Sequence, residues 1–280
     1  MFSTKTKIRL AAAASRGVRG LRRLAGSGDI AEVTRQGIRW RLDLAEGIDI
    51  ALYLFGKFEP STVAAYHRLT RPGDVVLDIG ANIGAHTLWL ARAVGEGGKV
   101  YAFEPTAYAY GKLMRNLSLN PALAARVAAE QIMLVETVNA PVSPEIYSSW
   151  PLDGGANLHD AHLGRPESTA GARSATLDTY TAALGRVSLI KLDVDGYECQ
   201  VLGGGRELLA KHKPVIVMEL APYVLEERGA SLEALLGLLA TAGYALFDLD
   251  GVTPIAGDAA RLHVIIPRGA SLNVIARPRA

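Results

Sequence analysis

Two periods of apolar and polar positions run through this chain. Short apolar runs recur at Val75–Leu77, Val100–Phe103, Ile132–Val138, Val187–Leu192 and Pro214–Leu220. Such runs form strands covered on both faces of a parallel sheet. Segments with helical spacing stand between them. In Thr87–Val94, Leu88, Leu90, Ala91 and Val94 share a face; in Leu232–Ala242, Leu232, Leu235, Leu236 and Leu239 do. Tyr108–Leu119 and Glu198–Lys211 are further helices, the latter interrupted at Gly203–Gly205. This alternation predicts an α/β fold with a doubly wound, mostly parallel sheet. Tyr244–Leu249 and Leu262–Ile266 are the predicted last strands, an antiparallel pair closing the sheet.

The flanks read differently. Glu32–Leu44 predicts a hairpin around Gln36–Gly37, and Ser61–Leu69 a helix after the break at Gly56–Pro60. Pro121–Ala129 reads as a connection and Thr176–Tyr180 as a short helix. Residues 141–175 are too long for a structureless connection, which predicts hairpin strands or a lid. The chain thus divides into a basic N-terminal arm (1–28), a hairpin and helix packed on the core (29–70), a main domain (71–268) containing the 141–175 insert, and a fraying polar tail (269–280).

The candidate chemistry gathers at strand ends. Val75–Leu77 ends in Asp78, and Gly80 and Gly84 lead into the Thr87 helix. The spacing is G-x-x-x-G, which fits neither the dinucleotide fingerprint, whose second glycine would replace Asn82, nor the phosphate loop. An acid at this strand end repels a pyrophosphate and suits a ligand with a positive end. Lys99–Phe103 ends in Glu104, 26 residues after Asp78, near the offset at which a carboxylate meets ribose hydroxyls. Asp78, the glycine turn and Glu104 together read as a nucleoside site without phosphate contacts. S-adenosylmethionine is the commonest ligand of that description.

Val75–Thr87, Phe103–Pro105, Asn116–Asn120, Leu189–Glu198 and Val217–Glu219 resemble, in order and spacing, the FkbM-type methyltransferases. The resemblance covers roughly residues 55–220. It implies a class I, Rossmann-like methyltransferase fold, S-adenosylmethionine as cofactor, and O-methylation of a hydroxyl on a sugar, glycan or polyketide-like molecule. Cofactor contacts are then expected from Gly80, Ala81, Asn82, Gly84, Thr87, Glu104 and Pro105 beside Asp78. Asn139 and Ala140 would lie at the third strand's end, where adenine lies in this fold. Glu59 resembles the family's G-x-[YF]-E element, implying a place near the cofactor's amino-acid end; a carboxylate favouring a helix N-terminus is the equal alternative.

An alcohol acceptor must lose a proton as the methyl arrives, so a base is needed near the fourth strand's end. Asp193 is the first candidate, with ordering of the cofactor or helix capping as its alternative role. Lys191 lies two residues earlier and points to the same side, where it could pair with Asp193 or meet substrate. Asp195 stands where the family usually carries Glu. Asp193, Asp195 and Glu219 could hold magnesium or calcium, although the resemblance implies no metal and none is expected. His159, or His162, is the other candidate base. Two competing readings remain: a non-catalytic partner protein of this fold, and a nicotinamide-dependent oxidoreductase, which the glycine spacing disfavours.

Composition narrows the partners. The net charge of +2 gives no polyanion signal, so no nucleic acid is expected. The single cysteine, Cys199, excludes an internal disulfide and a multi-cysteine metal site, which suits a reducing, cytoplasmic setting. No apolar run is long enough to span a membrane. Before Asp29 there are Lys5, Lys7, Arg9, Arg16, Arg19, Arg22 and Arg23 and no acid, with Leu10, Val18, Leu21 and Leu24 as an apolar stripe. This arm is read as a loosely ordered basic helix or tail, with weak contact to an anionic membrane surface as the alternative. The sequence leaves oligomeric state open.

Overall fold

A computed structural model of the chain describes residues 4–279. In chain order the elements are α1 (Thr4–Leu24), the hairpin β1 (Ile30–Arg35) and β2 (Ile38–Asp43), α2 (Gly47–Phe55), α3 (Pro60–Leu69), β3 (Val75–Ile79), α4 (Thr87–Ala93), β4 (Lys99–Phe103), α5 (Ala107–Ser118), α6 (Pro121–Ala124) and β5 (Val127–Glu130). The insert region supplies β6 (Ile132–Leu134), β7 (Glu145–Ser149), β8 (Arg165–Ser168) and β9 (Arg173–Ala175). Then come α7 (Leu177–Thr181), β10 (Leu189–Leu192), α8 (Glu198–Gly203), α9 (Arg206–His212), β11 (Val215–Leu220), α10 (Pro222–Glu227) and α11 (Leu232–Thr241). The chain closes with β12 (Tyr244–Phe247), β13 (Pro254–Ile255), α12 (Ala259–Ile265) and β14 (Leu272–Pro278).

The central sheet has the order β13-β12-β14-β11-β10-β3-β4-β5. Strands β5, β4, β3, β10 and β11 run parallel, and β14 is antiparallel to both β11 and β12. Helices cover both faces because the core strands are apolar on both. Val76 of β3 and Leu189 of β10 join one apolar layer, while Leu77, Ile79, Ile190 and Leu192 join the other. The chain leaves β3 toward β4 on one side and returns to β10 on the other. A crevice therefore opens at the carboxyl ends of β3 and β10, the usual ligand position in such sheets.

Several elements differ from expectation. The third parallel strand is β5, four half-buried residues at the sheet edge, not 132–138. The buried run 132–134 pairs instead with β9, parallel, outside the central sheet. Leu262–Ile266 is helical: Leu262 and Ile266 are buried four residues apart while Val264 is exposed, and the Asp258 side chain caps the helix by accepting from Ala260 N–H. The sheet closes with β14, from the segment read as a tail; Val274, Ile275 and Ala276 are buried between β11 and β12. The arm, too, is a docked helix. Ile8, Ala12, Ser15 and Arg19 of α1 face the core, and Arg19 is clamped by Asp29 at 2.7 Å and Asp153 at 2.6 Å. The hairpin β1/β2 and the insert hairpin β7/β8 match expectation.

Candidate active site

A cavity of about 330 Å³ opens at the crevice, within the range of small-molecule sites. Its floor is the glycine turn after β3. Gly80 and Ala81 donate backbone N–H bonds to the carbonyl of Phe103, tying the turn to β4. Gly80 adopts φ +78°, and a Cβ there would stand 1.8 Å from the Asp193 carbonyl oxygen. The turn and the end of β10 thus meet backbone to backbone, which only glycine permits.

Beneath the turn lies a buried ion cluster. Parallel pairing puts Lys191 of β10 beside Asp78 of β3, and both side chains point to the same face. Lys191 Nζ lies 3.6 Å from Asp78 and 3.5 Å from Asp193. It donates to the Gly80 carbonyl at 2.6 Å and the Ile79 carbonyl at 3.3 Å. Burial pushes the Asp78 carboxyl up, opposed by Lys191 and by a 2.6 Å bond from the Thr87 hydroxyl. For Lys191, burial works against the charge, but the surrounding carboxylates win and hold it above the usual lysine value. Asp78, Gly84 and Thr87 sit behind the turn and do not line the cavity; they support it.

Carboxylates dominate the polar lining. Glu59, Glu104, Asp193, Asp195 and Glu219 all reach the cavity, against Lys191 and Lys7. Glu104 accepts from Asn82 N–H at 3.0 Å, Thr106 N–H at 2.9 Å and the Thr106 hydroxyl at 2.6 Å. Asn82, at φ +48°, thereby holds the turn against β4. Glu59 precedes α3 with φ +46°, and its carboxylate accepts from the Thr62 hydroxyl in the first turn of that helix at 3.2 Å. It also lines the cavity, so its position fits both roles considered for it. Asp193, Asp195 and Glu219 offer oxygens within 4.8 Å of one another. Burial, with the charge of Asp193, pushes Glu59 up, and Asp195 and Glu219 well above the usual carboxylate range. Such a lining favours a ligand that brings positive charge.

The far wall is apolar, made by Phe103, Ile132, Met133, Leu134 and Val201. Asn139 and Ala140 are not part of it. The strand expected to carry them ends at Leu134, and Ala140 packs in a separate patch with Met133 and Val135. The cavity is lined by 132–134 and not by 139–140.

His159 also misses the cavity; His162 lines it instead. The two rings stack at 3.9 Å with 7° between planes. Nδ1 of His159 accepts from Ala161 N–H and Nδ1 of His162 from Gly164 N–H, so the His162 ring carries its proton on Nε2. His159 directs Nε2 to Glu227 at 2.9 Å. Burial and His159 push His162 down to about 3, leaving it a neutral donor and a poor base.

Two contributors carry little sequence signal. His86, directly before α4, lines the cavity, and both ring nitrogens lack a hydrogen-bond partner among the described residues. Phe58 and Tyr66 pack edge-on against the ring. Burial and Lys191 hold its pKa well below the usual histidine value, so it is neutral. Thr4, Lys7, Ile8 and Ala11 bring the inner face of α1 to the same cavity.

S-adenosylmethionine fits these groups. Glu104 would receive the ribose hydroxyls, Phe103 and Ile132–Leu134 the adenine ring, and the acidic lining the sulfonium and ammonium charges.

The model of the FkbM methyltransferase domain matches residues 78–246. The methyltransferase sdnD of Sordaria araneosa is 31% identical over 155 residues, 46% of this chain and 59% of that protein. The match spans less than two thirds of that relative. Similar solved structures include an FkbM methyltransferase from Methylobacillus flagellatus KT, 16% identical with TM-score 0.43, covering 81% of this chain and 52% of that one. Another is an S-adenosylmethionine-dependent O-methyltransferase from Thermotoga maritima, 13% identical with TM-score 0.44, covering 93% and 82%. The family match and the acidic, phosphate-free turn set the nicotinamide reading aside. The chain belongs to the FkbM methyltransferase family, whose methyl donor is S-adenosylmethionine.

Proposed function

We propose that the protein methylates a hydroxyl group of a small polyhydroxylated acceptor, a sugar, glycan or polyketide-like alcohol, with Asp193 as the base. The bound cofactor supplies a methyl carbon made electrophilic by its sulfonium. The protein's part is to orient the alcohol and take its proton. Asp193 is the observation that carries this reading. Its carboxylate lies at the end of β10 in the cavity, and the buried Lys191 ammonium is 3.5 Å away. That contact holds the Asp193 carboxylate at the end of β10, where it would take the hydroxyl proton. Lys191 itself is turned to the Gly80 carbonyl, so it positions the base and the turn. His86 and the His162 Nε2–H offer neutral groups to hold acceptor hydroxyls.

The test is Asp193→Asn, assayed with sugars and polyketide alcohols and titrated with S-adenosylmethionine by calorimetry. The expected result is near-normal cofactor affinity with turnover reduced about 100-fold or more. Wild-type turnover in that variant would remove Asp193 as the base.

A further inference from the structure

We propose that the outer face of α1 docks on an anionic lipid surface. The helix is amphipathic twice over. Ile8, Ala12, Ser15 and Arg19, three or four apart, face the core. On the opposite side Leu10, Leu21 and Leu24 are 62%, 71% and 88% exposed, with Ala13, Ala14 and Gly17 between them in the same stripe. Three exposed leucines on one stripe of a docked helix are not needed for folding.

The charges flanking this stripe point to its occupant. Lys5, Arg9, Arg16 and Arg23 recur at spacings of four and seven along one edge, and the helix contains no acid. Arg9 and Arg16 are exposed and make no ion pair among the described residues. A two-fold contact between copies would bring these cations near their own images, so a second copy is disfavoured. An anionic bilayer satisfies both features: leucines enter the interface while arginines meet headgroup phosphates.

The apolar surface continues past the helix. Arg22 donates to the Ile30 carbonyl at 3.3 Å and lies 6.0 Å from the Tyr53 ring. This brings the end of α1 beside Ile30, Leu54 and Phe55, which are 46%, 41% and 68% exposed. No helix among the described residues is long and apolar enough to cross a membrane, so attachment would be peripheral. Because the inner face of α1 walls the cavity, docking would hold the cavity about 10 Å, one helix diameter, from the lipid surface.

The test is co-sedimentation of the full chain with neutral phosphatidylcholine vesicles and with vesicles carrying about 30% phosphatidylglycerol. At least about tenfold tighter binding to the anionic vesicles, weakening with salt, is expected. Arg9→Gln combined with Arg16→Gln should weaken it about 25-fold, roughly fivefold per cation. Leu21→Ser combined with Leu24→Ser should also weaken it, with an unchanged melting temperature. Equal binding to both vesicle types, absence of binding, or variants that bind like wild type would overturn the proposal. So would a concentration-dependent dimer that the leucine variant abolishes, which would assign the face to a second copy.

Discussion

Lys191→Met tests the idea that a buried ammonium holds the floor of the site together. Lys191 is 4% exposed and Asp78 is fully buried. Methionine keeps the length and removes the charge, so Asp78 is left buried beside a thioether. At 3.6 Å the lost attraction is about 5 kcal/mol at an effective dielectric near 20. Breaking one partner of a buried pair generally costs about 3–5 kcal/mol. The Gly80 and Ile79 carbonyls lose their donor as well. Asp193 adds little to this figure because solvent reaches about a third of its side chain. The melting temperature should fall by about 10 °C.

The pH dependence gives the cause. Without Lys191, the Asp78 carboxyl lies further above its ordinary 3.8. A carboxyl raised in the folded state favours folding while protonated, and that contribution is lost as pH rises above its unfolded value. The deficit of Lys191→Met should therefore narrow as pH falls. Asp78→Asn in the same chain should restore most of the lost stability, whereas Asp193→Asn should not. Thermal melts of the four proteins across pH measure both. A loss below about 1 kcal/mol, or one independent of pH, would refute the argument.

Gly80→Ala should cost about 3 kcal/mol and abolish cofactor binding, because its Cβ meets the Asp193 carbonyl; melting and calorimetry report both effects. Arg19→Ala should release α1 to limited proteolysis. It should also remove part of the acid sensitivity: Arg19 and Arg23 lower Asp29 to about 2 from 3.8, so that contribution is present above 3.8 and lost as pH falls through about 2. The ligand-free protein should lose stability as pH rises above the carboxylate range, since Glu59, Asp195 and Glu219 are all raised. The rise in melting temperature on adding S-adenosylmethionine should consequently be larger at about pH 8 than at about pH 5; the reverse order would contradict the acidic lining as the cation's site.

The legible parts of the molecule were those where one local pattern decides the outcome. Strands β3, β4, β10 and β11 are mostly apolar, and the acids Asp78, Glu104, Asp193 and Glu219 at or near their ends mark one rim of the sheet. Period two also put Lys191 on the Asp193 side. What it could not show was register across strands, which sets Lys191 against Asp78 and turns Asp78 from a ligand contact into a support. β14 was hidden because Asn273, Arg277 and the adjoining Arg279 make the segment look like a tail, while its place between β11 and β12 depends on a distant surface. The leucines of α1 misled in another way. The conspicuous Leu10, Leu21 and Leu24 face outward, and the buried face contains Ala12, Ser15 and Arg19. His86 was silent because a lone histidine carries no spacing; only the fold shows that its nitrogens have no hydrogen-bond partner among the described residues, with Nε2 3.7 Å from the Glu59 carboxylate.

Asp195 shows how one unusual residue can be read from backbone and charge together. Where the family usually carries Glu, the shorter chain raised a question of reach. Asp195 adopts φ +47°, and Asp tolerates this left-handed region better than most residues because its short side chain can bond locally. Glycine follows at φ +96°, where a Cβ would collide with the Val224 carbonyl at 2.3 Å. The loop after β10 is thus sharply folded, and it turns the Asp195 carboxylate back toward the cavity rather than away along a helix. A longer side chain is not needed to bring the charge there: an Asp195 oxygen lies within 4.8 Å of Asp193 and Glu219. The loop geometry supplies the reach that the missing methylene would have given. The cluster of acidic groups at the end of β10 is therefore kept, with the Lys191 ammonium committed below it to Asp78, Asp193 and the turn.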